Sequence, residues 1–291
     1  MSLTLEASDD SKPGRITLRT LCKWTQTGKP FAMLTCYDAT TARWLWRGGV
    51  RCMLVGDTAA QMILGHDTTL PATMPFMLEI TAAVRRGAPA AFVMADLPFG
   101  SYQCGHDEAA QNAIAFLKQA GADAVKLEVG PSEAPLVQRL ASAGVPVVAH
   151  LGSRPQQVRA KGGYRAAGQT PDQAAQLIDA AKLFIERGAA MLLLEAVPGQ
   201  VAQLVVDMAK SLPKGPIVPV VGCGAGNACH GHVVVLQDLL GMTDWHPPFA
   251  LPIANMGAQI QETAEKWVEL VGSGQYLKHD HPYRIHGDKT E

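Results

Sequence analysis

Hydrophobic positions along the chain fall into short, nearly continuous runs at 31–36, 51–55, 91–95, 122–127, 145–150, 189–194 and 217–221. Between them lie longer segments with apolar residues at helical spacing, at 109–120, 133–143, 171–187 and 201–212. The runs predict strands buried on both faces, and the alternation with helices predicts parallel pairing through right-handed crossovers. Helix ends are marked as well. Thr170 precedes Pro171 as an N-cap before a proline at the first helical position, and Gly121 and Gly188 stand where C-caps belong. Seven strands are clear, and an eighth is expected near 249–253, interrupted by Pro252. The expected architecture is an α/β fold, a (β/α)8 TIM-type barrel.

Length agrees with that choice, since single α/β barrels commonly run to about 250 residues. The 291 residues divide into an expected flexible N-terminal tail (1–15), one barrel domain (16–285) and a C-terminal tail (286–291). A hydrophobic fraction of 47% supplies a large core, and the 18% charged fraction leaves surface for contact with other subunits. The net charge of -1 and the absence of long like-charge blocks exclude nucleic acid and an anionic membrane as primary partners. No apolar run is long enough to span a bilayer, and the first fifteen residues do not read as a secretory signal. The six cysteines form no C-x-x-C pair, so neither disulfides nor zinc is expected and the cytoplasm is the expected compartment.

Candidate chemistry lies where acids meet strand ends. Asp57, Asp96, Glu128 and Glu195 each stand at or just beyond the carboxyl end of an apolar run. That edge is where catalytic side chains converge in a barrel. Each acid taken singly is as well explained by helix capping. Four converging carboxylates repel one another unless a cation or protons compensate. Oxygen donors without clustered His or Cys favour a hard ion, Mg2+ first, and an α-keto acid offers two oxygens to its open positions. Lewis-acid polarisation of the ketone then acidifies the neighbouring C–H bond. Lys126 precedes Glu128 by two residues and shares its strand face. It is either the partner of a substrate carboxylate or enolate, or a structural ion pair with one of the acids.

These residues sit in motifs that resemble the ketopantoate hydroxymethyltransferase family. The resemblance runs from Val55-Gly56-Asp57-Thr58 and Gly65-His66-Asp67-Thr68-Thr69-Leu70-Pro71 through Ala95-Asp96-Leu97-Pro98-Phe99 and Val125-Lys126-Leu127-Glu128. It continues in His150-Leu151-Gly152, Leu194-Glu195-Ala196-Val197-Pro198 and Gly222-Cys223-Gly224-Ala225-Gly226-Asn227, over roughly 16–283. The resemblance implies a barrel of the phosphoenolpyruvate mutase/isocitrate lyase kind with Mg2+ as cofactor. It implies transfer of a hydroxymethyl group from 5,10-methylenetetrahydrofolate, the co-substrate, to 3-methyl-2-oxobutanoate, giving 2-dehydropantoate for pantothenate synthesis. By the same resemblance Asp57, Asp96 and Glu128 bind metal, and Asp57, Thr58, Asp96, Lys126 and His150 contact substrate. Glu195 takes the proton, and the chain assembles into a homo-oligomer, a decamer in the family.

Two departures stand out. Position 58 is Thr where the family usually has Ser, and Ala59-Ala60-Gln61 replaces a more usual Leu-Gly pair, which alters the expected turn over the substrate. A carbon–carbon lyase or hydrolase for another 2-oxo acid, and a catalytically reduced paralogue, are the alternatives. The glycines at 222, 224 and 226 lack the dinucleotide-binding spacing and read as a tight loop. The segment 153–170 is long enough to form a lid over the site, with Lys161-Gly162-Gly163-Tyr164-Arg165 at its tip. His66 reads as structural or substrate-adjacent, and His230-x-His232 and His279-x-His281 as solvated pairs without a role.

Overall fold

The computed structural model describes residues 14–212 and 217–276. Eight parallel strands close into a barrel in sequence order. They are β1 (Phe31–Thr35), β2 (Cys52–Val55), β3 (Phe92–Asp96), β4 (Ala124–Glu128), β5 (Val147–Gly152), β6 (Met191–Glu195), β7 (Val220–Cys223) and β8 (Gly231–Val234). The expected tails 1–15 and 286–291 fall largely or wholly outside the described residues, as does His279-x-His281. The chain forms two compact units, Met1–Leu236 and Gln237–Glu291, and the whole barrel belongs to the first.

The eighth strand is not near 249–253. It is β8, which pairs with β1 through Phe31↔Gly231 and Leu34↔Val234. Its four residues open on glycine and an exposed His232, which precede the short apolar stretch Val233–Leu236. The glycine is required, because a Cβ at 231 would stand 2.3 Å from the Phe31 ring. The seventh strand starts later than the apolar run 217–221: β7 begins at Val220. Helix limits moved by a few residues, and the one expected at 109–120 begins at His106 and ends in a π-turn, Phe116–Ala120.

Alternation along each strand sorts its residues into two packed layers. Met33, Cys52, Leu54, Phe92, Met94, Ala124, Val148, Met191, Leu193, Val221 and Val233 fill the barrel interior. Ile16 and Leu21, just before and within the helix Leu18–Gln26, join that cluster. The intervening residues, among them Val93, Val125, Leu127, Ala149 and Leu194, face the surrounding helices. The inward parity has a direct consequence. Continued upward, it passes through Asp96, Lys126, Glu128, His150 and Glu195, so the hydrophobic interior ends in a polar cap.

Candidate active site

Register brings the polar cap together. Asp96 pairs with Lys126 across β3 and β4, Glu128 with His150 across β4 and β5, and Gly152 with Glu195 across β5 and β6. Lys126 Nζ lies 3.1 Å from Asp96 Oδ1 and 3.3 Å from His150 Nδ1. With Nδ1 accepting from the ammonium, the imidazole carries its proton on Nε2, which faces Glu195 Oε2 at 3.4 Å. Asp57 follows β2 beyond Gly56, and its backbone N–H donates to Asp96 Oδ2 at 3.0 Å. A cavity of about 50 Å³ lies among these residues and Thr58.

One residue that the sequence reading missed organises the cap. Gln156 is buried in the turn Pro155–Gln157 that follows β5. Its backbone N–H donates to both Glu128 oxygens, at 3.1 and 3.0 Å. Its side-chain amide donates to Asp57 Oδ2 at 2.9 Å and to Leu97 O at 3.0 Å, while its carbonyl accepts from Tyr102 Oη at 2.6 Å. Both polar atoms of this side-chain amide are engaged with residues that follow β2 and β3, while the backbone N–H reaches the end of β4. A glutamine after Arg-Pro carries no periodic signal, so only the folded turn reveals it. The segment goes on through the helix Val158–Lys161 to the half-exposed Tyr164.

Electrostatics show a cluster short of positive charge. Burial pushes the Asp57 carboxyl upward. Asp96 rises to about 7 through burial, with the Lys126 ammonium pulling the other way. Glu128 rises to about 9 through burial and the neighbouring Asp57. Glu195 rises to about 7, again through burial, against the pull of Lys126. Lys126 goes up, because the charges of Asp96, Asp57, Glu128 and Glu195 outweigh its own desolvation. His150 is held well below its ordinary value by burial and by Lys126, so it is neutral.

The donor set fits a hard divalent cation. The donors are carboxylate oxygens, four acids face one ammonium, and the buried Asp96 Oδ1 makes no hydrogen bond despite the nearby Lys126. Among the described residues no three His, Cys, Asp or Glu are gathered into a ready-made metal cluster. Glu128 is already bonded through both oxygens to the Gln156 amide. Thr58 lines the cavity without capping the short helix Ala59–Met62. Ala59 and Ala60 are buried in that helix, so the missing glycine leaves no strained turn. His66 is exposed, whereas His230 is half-buried and accepts from Val220 N through Nδ1, a structural bond rather than a solvated side chain.

A closed parallel barrel with an acidic cap on its carboxyl edge defines an α/β-barrel enzyme, and solved structures of that kind resemble it. A phosphoenolpyruvate phosphomutase from Streptomyces platensis subsp. rosaceus superposes with a TM-score of 0.59 at 16% identity, covering 92% of each chain. A 2,3-dimethylmalate lyase, described as a member of the PEP mutase/isocitrate lyase superfamily, gives 0.58 at 15%, covering 94% of this chain and 93% of its own. At the level of sequence, the family model for ketopantoate hydroxymethyltransferase matches residues 15–279. A 3-methyl-2-oxobutanoate hydroxymethyltransferase from Syntrophus aciditrophicus is 40% identical over 95% of this chain and 99% of its own length. The relative of that name from Pseudothermotoga lettingae is 42% identical over 85% and 91%. The chain belongs to the ketopantoate hydroxymethyltransferase family and is a transferase.

Proposed function

We propose that the chain transfers a hydroxymethyl group from 5,10-methylenetetrahydrofolate to 3-methyl-2-oxobutanoate, forming 2-dehydropantoate, with Mg2+ as cofactor. The observation that carries this reading is the buried ladder Asp96–Lys126–His150–Glu195. It sets an ammonium, a neutral imidazole and a carboxylate of raised pKa in consecutive contact. Among solved relatives of the fold, a phosphonopyruvate hydrolase holds oxalate and Mg++. Oxalate has the two-oxygen geometry of a keto acid or its enolate.

Asp57 and Asp96 would hold the cation, with Glu128 acting through water because its oxygens are occupied by Gln156. A bound cation would supply Lewis-acid polarisation of the ketone. Lys126 is placed to neutralise the substrate carboxylate or the growing enolate, and Thr58 and His150 line the same space. Glu195, with a pKa near that of a working base at neutral pH, removes the proton from C3. The resulting carbanion attacks the methylene carbon of the donor. A new C–C bond forms, both C–N bonds to that carbon break, and water supplies the hydroxyl oxygen. The two folate nitrogens take up one proton from C3 and one from the water, which balances the reaction.

Incubation with the keto acid in deuterated water, without donor, isolates the first step. Wild-type protein is expected to exchange the C3 proton, and Glu195→Gln to bind the keto acid with exchange slowed at least about a hundredfold. Exchange at the wild-type rate in that variant removes Glu195 as the base. The segment 153–170 is expected to close over both substrates. Tryptic cleavage at Lys161 or Arg165 should then slow when keto acid and tetrahydrofolate are both present, and an unchanged rate refutes the lid.

A further inference from the structure

A second and larger cavity, of about 220 Å³, lies directly beyond the acidic cap. Glu128 and Gln156 line it, and Glu128 also lines the first cavity. Tyr102 bonds Gln156 at this partition. The far side is built from the loop after β3 and the turn after β4. Phe99, Tyr102, Gln103, Gln157 and Glu133 line it, with the Glu133 carboxylate accepting from Gly130 N and Ser132 Oγ. None of the residues assigned above to keto-acid chemistry, apart from Glu128, reaches it.

We propose that this cavity seats the reduced pteridine ring of the one-carbon donor. The inference rests on the folate-dependent reading above and specifies where the donor sits. A carbon donor must lie within bonding distance of the keto acid, so its site must adjoin the first cavity, and this one does so across a single layer of side chains. Size selects part of the donor. The volume falls below the roughly 300–1,000 Å³ of pockets for drug-sized ligands, so it suits a bicyclic ring and leaves the aminobenzoyl-glutamate tail outside. Chemistry selects the ring as well. A flat heterocycle with an amide and amino edge matches a lining of two aromatic residues for packing and two glutamines for hydrogen bonding.

Gln156 is the partition. For the methylene carbon to reach C3 its side chain must swing aside, giving up its bonds to Asp57 and Leu97. Donor occupancy is thereby coupled to the orientation of Asp57.

Titration calorimetry with a tetrahydropterin, the ring alone, tests the assignment against p-aminobenzoyl-glutamate, the tail alone. Wild-type protein should bind the ring at least about tenfold more tightly than the tail. Ser132→Phe, which fills the cavity from its rim, should weaken ring binding by a similar factor while C3 exchange on the keto acid continues. Phe99→Ala, at an exposed position, gives the same readout if the first variant does not fold. Unchanged ring affinity in both variants overturns the proposal, as does a loss of C3 exchange that matches the loss of ring binding. Wild-type protein that exchanges C3 protons yet binds neither fragment overturns the folate reading, and this one with it.

Discussion

At the scale of single residues, burial decides chemistry. His230 has Nδ1 bonded to Val220 N at 3.0 Å and Nε2 buried without a partner, and its pKa is lowered to about 4 by burial and by Lys210. The sign follows from proton linkage. An unfolded histidine takes up a proton near pH 6.5 while the folded one resists until about 4, so stability falls as pH drops through that window. Because the side chain is only half-buried, solvent screening reduces the effect to on the order of 1 kcal/mol between pH 7 and 5. Denaturant midpoints at the two pH values should converge in His230→Gln relative to wild type, and an undiminished difference would assign the effect elsewhere. The four acids, Lys126 and His150 were legible in sequence because strand ends in a parallel barrel carry chemistry. Gln156 and the partner of His230 were not, since their meaning comes from contacts made by turns rather than from any periodic pattern.

At the scale of elements, close approach of β5 and β6 sets the position of Glu195. Gly152 adopts φ +97, and a Cβ there would stand 2.3 Å from Glu195 O. The next residue, Ser153, donates its N–H to that same oxygen at 2.8 Å. Ala196, directly after Glu195, is the one non-glycine residue with positive φ among the described residues. Local strain of this sort is held where the surrounding structure requires it. Gly152→Ala should therefore cost about 1–3 kcal/mol from overpacking and reduce C3 exchange more steeply than Thr58→Ser, which keeps the hydroxyl. Thermal unfolding and the exchange assay together measure this, and a wild-type profile for Gly152→Ala would show that the strands can part. Seven strands are visible as apolar runs, whereas β8 opens on a glycine and an exposed histidine and only then enters the short apolar stretch 233–236. Barrel closure there depends on pairing with β1, which no local pattern encodes.

At the scale of the whole molecule, the helix Met256–Gly272 contains no buried residue and exposes Ile260, Trp267, Val268 and Val271. Isolated helices gain little stability from propensity, and most helical stability comes from burying an apolar face. The chain is accordingly expected to assemble, and light scattering after size exclusion should return a multiple of 31.0 kDa. A monomer at micromolar concentration would leave that face unexplained. The sequence reading anticipated assembly from the low charged fraction, but nothing in composition locates the surface.

The ladder of pairs across β3 to β6 also constrains how such a chain can diverge. From Asp96 the path crosses to Lys126, climbs to Glu128, crosses to His150, climbs to Gly152 and crosses to Glu195. Each climb is two residues, one full period of the pleat. A single inserted or deleted codon inside β4 or β5 reverses which face the following residues of that strand present, and so breaks the staircase at that tread. Loops between treads carry no such parity. Lineages of this barrel are therefore free to change length in the connections, while the strands that bear the acids evolve by substitution alone.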